Sequence, residues 1–311
     1  MKKIAILLPC FNEGSSINKF NNILIDNIKN LPYKFELFYI DDGSLDNTNE
    51  IIKEFHSKFK HINIYMLKLN YNMGHQKAIY QGMLHLKDKD FDNVLIMDSD
   101  GEDNPAAIQE ILKHNDKDLV QVLRGKRNES LFFKMFYIFY KIIFQLIIGK
   151  KLNFGNYSLL KPKLIKAATD VRFNHLAAFL DNQRCNKIKI RSDRNKRIDG
   201  VSKMNFNNLF YHAVNSFAEN AENLLFVFIK LSILLLLGII FLIVVILYKK
   251  FIIHVAVLGW TSSLLAILFN SFLISIGVFV IGILQLNILW KQNYNKNTKQ
   301  FKLSSIVSNW R

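Results

Sequence analysis

Val94-Leu95-Ile96-Met97-Asp98-Ser99-Asp100-Gly101-Glu102-Asp103 is the stretch on which the reading of this chain turns. An apolar run with no helical spacing passes straight into a cluster of acids. That is the pattern of a short buried strand carrying carboxylates to its C-terminal end. The pattern recurs upstream: Ile4–Leu8 ends in Pro9-Cys10-Phe11-Asn12-Glu13, and Phe35–Ile40 ends in Asp41-Asp42-Gly43-Ser44-Leu45-Asp46. Further strand-like runs stand at Ile62–Leu67 and Leu119–Leu123. Between the strands lie helical patterns near Ser15–Ile28, Asn47–Phe59, Gln76–Leu86 and Ala106–Lys113. Such alternation predicts an α/β domain built on a largely parallel sheet. In open sheets of that kind, ligands sit beyond the carboxyl ends of the strands. No GxGxxG follows the first strand and no GxxxxGK[ST] occurs anywhere, so dinucleotide-binding and P-loop readings lose their main support.

So many acids at one edge repel each other unless a cation or donor groups sit among them. Asp98 and Asp100, two apart in an extended stretch, suit one hard divalent ion, with Glu102 as a further oxygen ligand. Mg2+ or Mn2+ bound by one or two carboxylates usually completes its shell with substrate phosphates. An EF-hand does not fit, because Gly101 stands at the wrong offset and the distal Glu is absent. A plainer reading is a polar turn, with Asp46 and Asp103 as helix N-caps. Asp41 or Asp42 is placed either to accept a nucleobase N–H or to cap a turn.

The 311 residues carry 41 Lys+Arg against 25 Asp+Glu, a formal charge of +16 that invites a nucleic-acid reading. Its distribution argues otherwise. Residues 1–120 hold 14 basic and 18 acidic side chains, residues 121–203 hold 19 and 5, and residues 204–311 hold 8 and 2. Positive charge is therefore a central block beside an acidic sheet edge, the layout of a phosphate-handling face near an anionic membrane. Two cysteines, Cys10 and Cys185, make no disulfide framework and predict a reduced, cytosol-facing domain. Met1-Lys2-Lys3 and the apolar run after it superficially resemble a signal peptide, but Pro9 and Asn12-Glu13 follow without a cleavage site, so a first strand is expected.

The last third is apolar. Leu231–Tyr248 predicts one membrane span of roughly 27 Å, with Lys230 snorkelling at the interface. A second is expected over about 264–289, after an interfacial stretch with His254, Gly259 and Trp260. Lys291, Lys296, Lys299, Lys302 and Arg311 in the tail favour a cytoplasmic 291–311 segment. Two apolar helices are expected to lie in the membrane plane before the spans. The first is 131–148, with Lys134, Lys141 and Gln145 on one face; the second lies within 204–222. The domain plan is thus a catalytic unit over 1–203, a juxtamembrane helix over 204–222, a two-pass region over 223–290 and a basic tail.

Taken together, these segments resemble the family 2 glycosyltransferases of the GT-A fold, in the polyprenyl-phosphate branch related to dolichol-phosphate mannose synthase. The resemblance is carried by Leu8-Pro9-Cys10-Phe11-Asn12-Glu13, by Ile40-Asp41-Asp42-Gly43-Ser44-Leu45-Asp46-Asn47-Thr48 and by Asn70-Tyr71-Asn72-Met73-Gly74. It continues through Asp98-Ser99-Asp100-Gly101-Glu102-Asp103-Asn104-Pro105, the pair Arg124 and Arg127, and Arg197-Ile198-Asp199-Gly200-Val201-Ser202-Lys203. The ordered set is far more specific than any single DxD. The resemblance implies that Pro9, Phe11, Glu13 and Asp42 line a nucleotide pocket, and that Asp98, Ser99 and Asp100 bracket the diphosphate and its metal. It further implies that Arg127 with Arg124, and Arg197 with Lys203, contact the donor pyrophosphate and the acceptor phosphate.

This chain departs from that branch in three places. Gly101-Glu102 replaces the common Leu-Gln, Asn153-Phe154-Gly155-Asn156-Tyr157 carries Asn where relatives often have Asp, and the last span lacks the usual Gly-Glu-Tyr ending. The activity implied is inverting transfer of a sugar from a nucleotide diphosphate sugar to a polyprenyl (undecaprenyl or dolichyl) phosphate at the inner membrane, with a homo-oligomer left open. A lipid phosphate is already largely ionised and needs no base. A hydroxyl acceptor on a lipid-linked saccharide would need one, and Asp103 and Asp181 are the candidates. A processive polysaccharide synthase lacks its Gln-x-x-Arg-Trp signature here, and a silent basic scaffold is disfavoured by the intact Asp98/Asp100 pair.

Overall fold

Strand β1 (Lys3–Cys10) is buried along nearly its whole length, as a central strand covered on both faces must be. It pairs in parallel with β2 (Lys34–Asp41) on one side and with β4 (Asn93–Ile96) on the other, and β2 pairs in parallel with β3 (Asn63–Lys68). Beyond β4 the sheet changes character. β6 (Phe154–Leu160) runs antiparallel to both β4 and β5 (Leu119–Arg124), and β7 (Lys187–Ser192) closes the sheet parallel to β5. The described sheet has seven strands in the order β3-β2-β1-β4-β6-β5-β7. The chain is described here from a computed structural model, over residues 1–59, 62–124, 154–171, 173–193, 195–198 and 259–297, with scattered positions between 142 and 254.

Alternation along β1 builds two cores. Ile4, Ile6 and Leu8 face α1 (Ile17–Ile28), α2 (Thr48–Lys58) and α4 (Ile108–Lys113). Ala5 and Leu7 face α3 (His75–Leu86), α5 (Pro162–Val171) and α6 (Leu176–Asn182). The result is a three-layer α/β/α sandwich. Helix α1 shows why the sequence folds this way: Ile17, Phe20, Leu24, Ile25 and Ile28 recur at helical spacing and are all buried. Helix α3 approaches the sheet so closely that a Cβ on Gly82 would lie 2.6 Å from Leu7 Cδ1.

The five expected strands and four expected helices are all present, and four of the six described strand pairings are parallel. The antiparallel β6, the edge strand β7 and helices α5 and α6 were not anticipated. The expected in-plane helices over 131–148 and 204–222 lie largely outside the described residues. Where described, Ile142, Phe144, Val214 and Phe217 are helical, and the Phe144 and Phe217 rings pack with centroids 5.4 Å apart. The expected first span, 231–248, is likewise described only at scattered positions. The expected second span falls inside α7 (Gly259–Asn297), 39 residues long, part of whose side chains lie outside the description. Among the described residues, no helix is long and apolar enough to cross a membrane. Asn287 ties α7 to the sandwich, accepting from Asn174 Nδ2 at 2.9 Å and donating to the Ala218 carbonyl at 3.0 Å.

Candidate active site

Because β2, β1 and β4 are adjacent and parallel, their carboxyl ends open onto one edge, and three acidic loops meet there. These loops hold one another. Asn12, at a positive φ of 53°, accepts from Leu45 N through its side chain, while its own N–H donates to Ser44 Oγ at 2.9 Å. Asp46 accepts from Gly14 N, and Ser99 Oγ donates to the Pro9 carbonyl at 2.8 Å. Gly43 sits at φ +75°, and a Cβ there would lie 2.8 Å from Asn72 N, so the close approach of this turn to the 71–74 loop requires glycine.

The two acids at the end of β2 have separate tasks. Asp41, fully buried, accepts from Ser44 N and from Asn49 Nδ2, both at 2.9 Å, and so caps its own turn and anchors α2. Asp42 turns the other way and accepts from Met73 N at 2.7 Å and Gly74 N at 2.9 Å. Burial pushes its carboxyl up to about 6, against the lowering effect of those two N–H groups.

At the end of β4, Asp98 Oδ1 lies 3.3 Å from His75 Nε2 at the start of α3. Asp100 accepts from Glu102 N at 2.9 Å and from Arg197 Nη2 at 2.7 Å. Arg197 also stands 3.9 Å from Glu13 Oε1, so one guanidinium lies between carboxylates from two strand ends. Burial, then the charges of Asp98 and Glu102, raise the Asp100 carboxyl, while Arg197 opposes the rise.

Of the two expected caps, one changes. Asn104, rather than Asp103, caps the short helical turn Pro105–Ala107, accepting from Ala106 N at 3.1 Å. Asp103 instead accepts from Asp98 N at 2.8 Å and braces the site loop from within. Asn47 is the residue that precedes α2, and it makes no side-chain cap. Asp46, one position earlier, makes the capping bond to Thr48 N at 3.1 Å. Asp103 is lost as a cap because its carboxylate is taken up by Asp98 N, whereas Asp46 keeps its capping bond one position before the first helical residues.

Of the expected site residues, Pro9, Phe11, Glu13, Asp42, Asp98, Ser99, Asp100, Glu102 and Arg197 fall on this edge. Arg124 ends β5, its side chain outside the description, while Arg127 and Lys203 lie outside the described residues, as does Asn153. Asp181, the other candidate base, pairs with Lys189 at 2.6 Å. Among the described residues, no three His, Cys, Asp or Glu side chains are grouped so as to hold a metal by themselves. The donor set still fits a hard divalent ion. Asp98 and Asp100 offer carboxylate oxygens, and the mutual repulsion that raises Asp100 is what a cation would relieve.

The sequence reading passed over a polar chain behind Asp98. Leu176 N donates to Gln76 Oε1 at 2.7 Å, Gln76 Nε2 to Asn156 Oδ1 at 3.3 Å, and Asn156 Nδ2 lies 2.9 Å from His75 Nε2. Asn156 and the His-Gln pair after Gly74 were visible in the sequence, but nothing local joins positions 80 residues apart. Cys10 is buried and its thiol is pushed well up, chiefly by desolvation and then by Asp41. It is a packing residue.

The structure is an α/β sandwich with acids at three adjacent strand ends and a guanidinium between two of them. Residues 5–177 match the sequence profile of glycosyl transferase family 2, and the chain belongs to that family. It is 25% identical over 297 residues to CsbB of Bacillus subtilis (strain 168), a protein named as a glycosyltransferase, with 88% of this chain and 84% of that one covered. Its fold is similar to glucosyl-3-phosphoglycerate synthase of Mycobacterium tuberculosis in complex with Mn2+, UDP and glucosyl-3-phosphoglycerate. That match has a TM-score of 0.51 at 13% identity, over 71% of this chain and 80% of that one. A second structure of that synthase, with Mn2+, UDP and phosphoglyceric acid, matches at a TM-score of 0.50 and 14% identity, over 72% of this chain and 78% of the other. The sheet is thus the GT-A type that the motifs implied.

Proposed function

We propose that this family 2 glycosyltransferase is a metal-dependent, membrane-bound inverting enzyme that moves a sugar from a nucleotide diphosphate sugar to a polyprenyl phosphate. The observation that carries the reading is the convergence of Glu13 and Asp100 on Arg197, with Asp98 beside His75, at one sheet edge. Isolated carboxylates would not be gathered there without cationic partners and a charged ligand.

Asp98 and Asp100 would hold Mg2+ or Mn2+, which supplies charge neutralisation for a leaving diphosphate. The Mn2+ and UDP bound in the mycobacterial synthase of the same fold are in keeping with that assignment. The chain's own residues do the rest. Pro9, Phe11 and Glu13 at the end of β1, with Asp42 shaping the 72–74 loop, form the wall against which a nucleotide sits. Arg197, with Arg124, Arg127 and Lys203 as the family motifs imply, would offset the charge of two phosphate-bearing substrates.

The lipid phosphate is favoured over a hydroxyl acceptor by the state of both candidate bases. Asp103 is engaged by Asp98 N, and Asp181 by Lys189. A phosphate monoester, with a second pKa of about 6, requires neither. The membrane is supported by exposed apolar side chains beyond the sandwich. They include Phe241, Val244 and Phe251, then Ile267, Ile274, Val278 and Ile288 along α7. The catalytic edge then faces the cytosol, where the basic tail 291–311 also lies.

The test is mass spectrometry of lipids formed when membranes containing the protein are given a panel of nucleotide sugars and polyprenyl phosphate. A polyprenyl-phosphate sugar is expected. Product found only on a lipid-linked saccharide would transfer the assignment to the hydroxyl-acceptor reading.

A further inference from the structure

Residues 195–198 follow β7 and lie directly on the turn that carries the Asp98–Asp100 pair. Ile198 N donates to the Asp100 carbonyl at 3.2 Å and Asn195 N to the Glu102 carbonyl at 3.1 Å, so this strap is hydrogen-bonded to both sides of Gly101. The side chain of Ile198 covers Gly101, which sits at φ +85° and at which a Cβ would lie 2.5 Å from Ile198 Cγ1. Between these anchors, the Arg197 guanidinium donates to Asp100 Oδ2 at 2.7 Å, with Glu13 Oε1 at 3.9 Å. The Asp100 side chain is therefore engaged at both oxygens, by Glu102 N on one and Arg197 on the other.

We propose that Arg197 is a resident counter-cation of the metal site: it closes Asp100 in the free enzyme, and it transfers to the donor diphosphate when the metal takes its place. The inference rests on the metal-dependent reading of the site. A divalent ion at Asp100 competes with the guanidinium for the same carboxylate charge, so metal binding there and the loosening of Arg197 are coupled. A guanidinium has the planar fork that pairs with a diphosphate through two N–H groups. Its release is therefore useful only when a donor is present to receive it. This couples the two ligands: diphosphate binding stabilises the displaced Arg197 and so favours the metal-bound state, and the metal reciprocates. Without Arg197, the carboxylates of Asp100, Glu13 and Glu102 lose a nearby positive charge, and a bare divalent ion gains what the guanidinium forfeits.

The experiment is a titration of the full-length protein in detergent with Mn2+ alone, following the free-ion electron paramagnetic resonance signal, alongside turnover. Arg197→Gln should bind Mn2+ about tenfold more tightly than the parent while losing turnover. Arg197→Lys should fall between them, and Ile198→Ala, which loosens the strap without removing a charge, should tighten Mn2+ binding by a smaller factor. Affinity that is unchanged or weaker in Arg197→Gln and Ile198→Ala overturns the proposal. Should Arg197→Gln not fold, Arg197→Lys and Ile198→Ala decide it alone. Asp100→Ala separates this failure from failure of the metal assignment: if it binds Mn2+ as well as the parent does, the metal is not at this site.

Discussion

The two halves of the sheet do different work. In β3-β2-β1-β4 every pairing is parallel, each strand is covered by helices on both faces, and the site residues stand at the strand ends themselves. In β6-β5-β7 directions mix, β7 is nowhere fully buried, and Arg197 reaches the site on the non-strand segment that follows. The first half is a rigid platform for acids. The second half brings the cation that meets them. A cation on a strap is able to exchange partners, whereas a carboxylate at the end of a buried strand stays where it is.

Removing an acid from the platform should have the largest effect. Asp100→Ala is expected to lower turnover by about a thousandfold or more, since it strips Arg197 of its partner and, on the metal-dependent reading, removes one of the metal's oxygens. Radiolabelled sugar transfer in membranes measures it, with insertion of the protein as the control for folding. Retention of most activity would mean that the strand-end acids are scaffold.

The platform's rigidity is checked by truncating equivalent apolar residues in the two halves. Leu7→Ala, fully buried between β1 and α3, should cost about 2–5 kcal/mol, while Ile190→Ala on the partly exposed β7 should cost well under that. Comparable costs in denaturant melts would erase the distinction between the halves.

Gly101 is where the strap that follows β7 seats on the acid loop after β4. Gly101→Ala should cost about 1–2 kcal/mol from its positive φ alone, and it should also lift Ile198 and with it Arg197. Turnover is therefore expected to fall more than thermal stability does. A variant that loses only stability would show that the strap's seat is unimportant.

The smallest expected effect is a pH slope. Burial pushes the Asp42 carboxyl up to about 6 in the folded chain, above the ordinary carboxylate range, so the folded state holds its proton more tightly. The stability this provides is complete below about pH 4 and is lost as pH rises through 6. Asp42→Asn should flatten that decline relative to the parent between about pH 4 and 6, as read from melting temperatures. An identical slope would place Asp42 in an ordinary solvated environment.

Much of the platform was legible because its signals are local. The apolar run Ile4–Leu8 can be satisfied only by a covered strand, and the helical spacing from Ile17 to Ile28 can be satisfied only by a helix with one buried face. The acids after each strand were equally visible, and family motifs gave them roles. β6 was not legible, because Phe154–Leu160 includes Gly155, Asn156 and Ser158, polar or small residues that a propensity reading leaves as loop. Asn156 is buried with partners from Gln76 and His75 of α3, and buried Ser158 donates to the Asn156 carbonyl within β6.

By itself, then, the sequence determined the α/β class, the parallel strands and the edge at which Glu13, Asp42, Asp98 and Asp100 collect, since strand period and strand order act over a few residues. Tertiary structure alone decided three further things: that Asp41 is a turn anchor while Asp42 holds the 73–74 loop, that Asp103 serves Asp98 rather than a helix, and that Arg197 reaches across 97 residues of chain to Asp100. Each of these depends on which of several equivalent donors lies within 3 Å of a carboxylate, and that is fixed only when the loops have packed against one another.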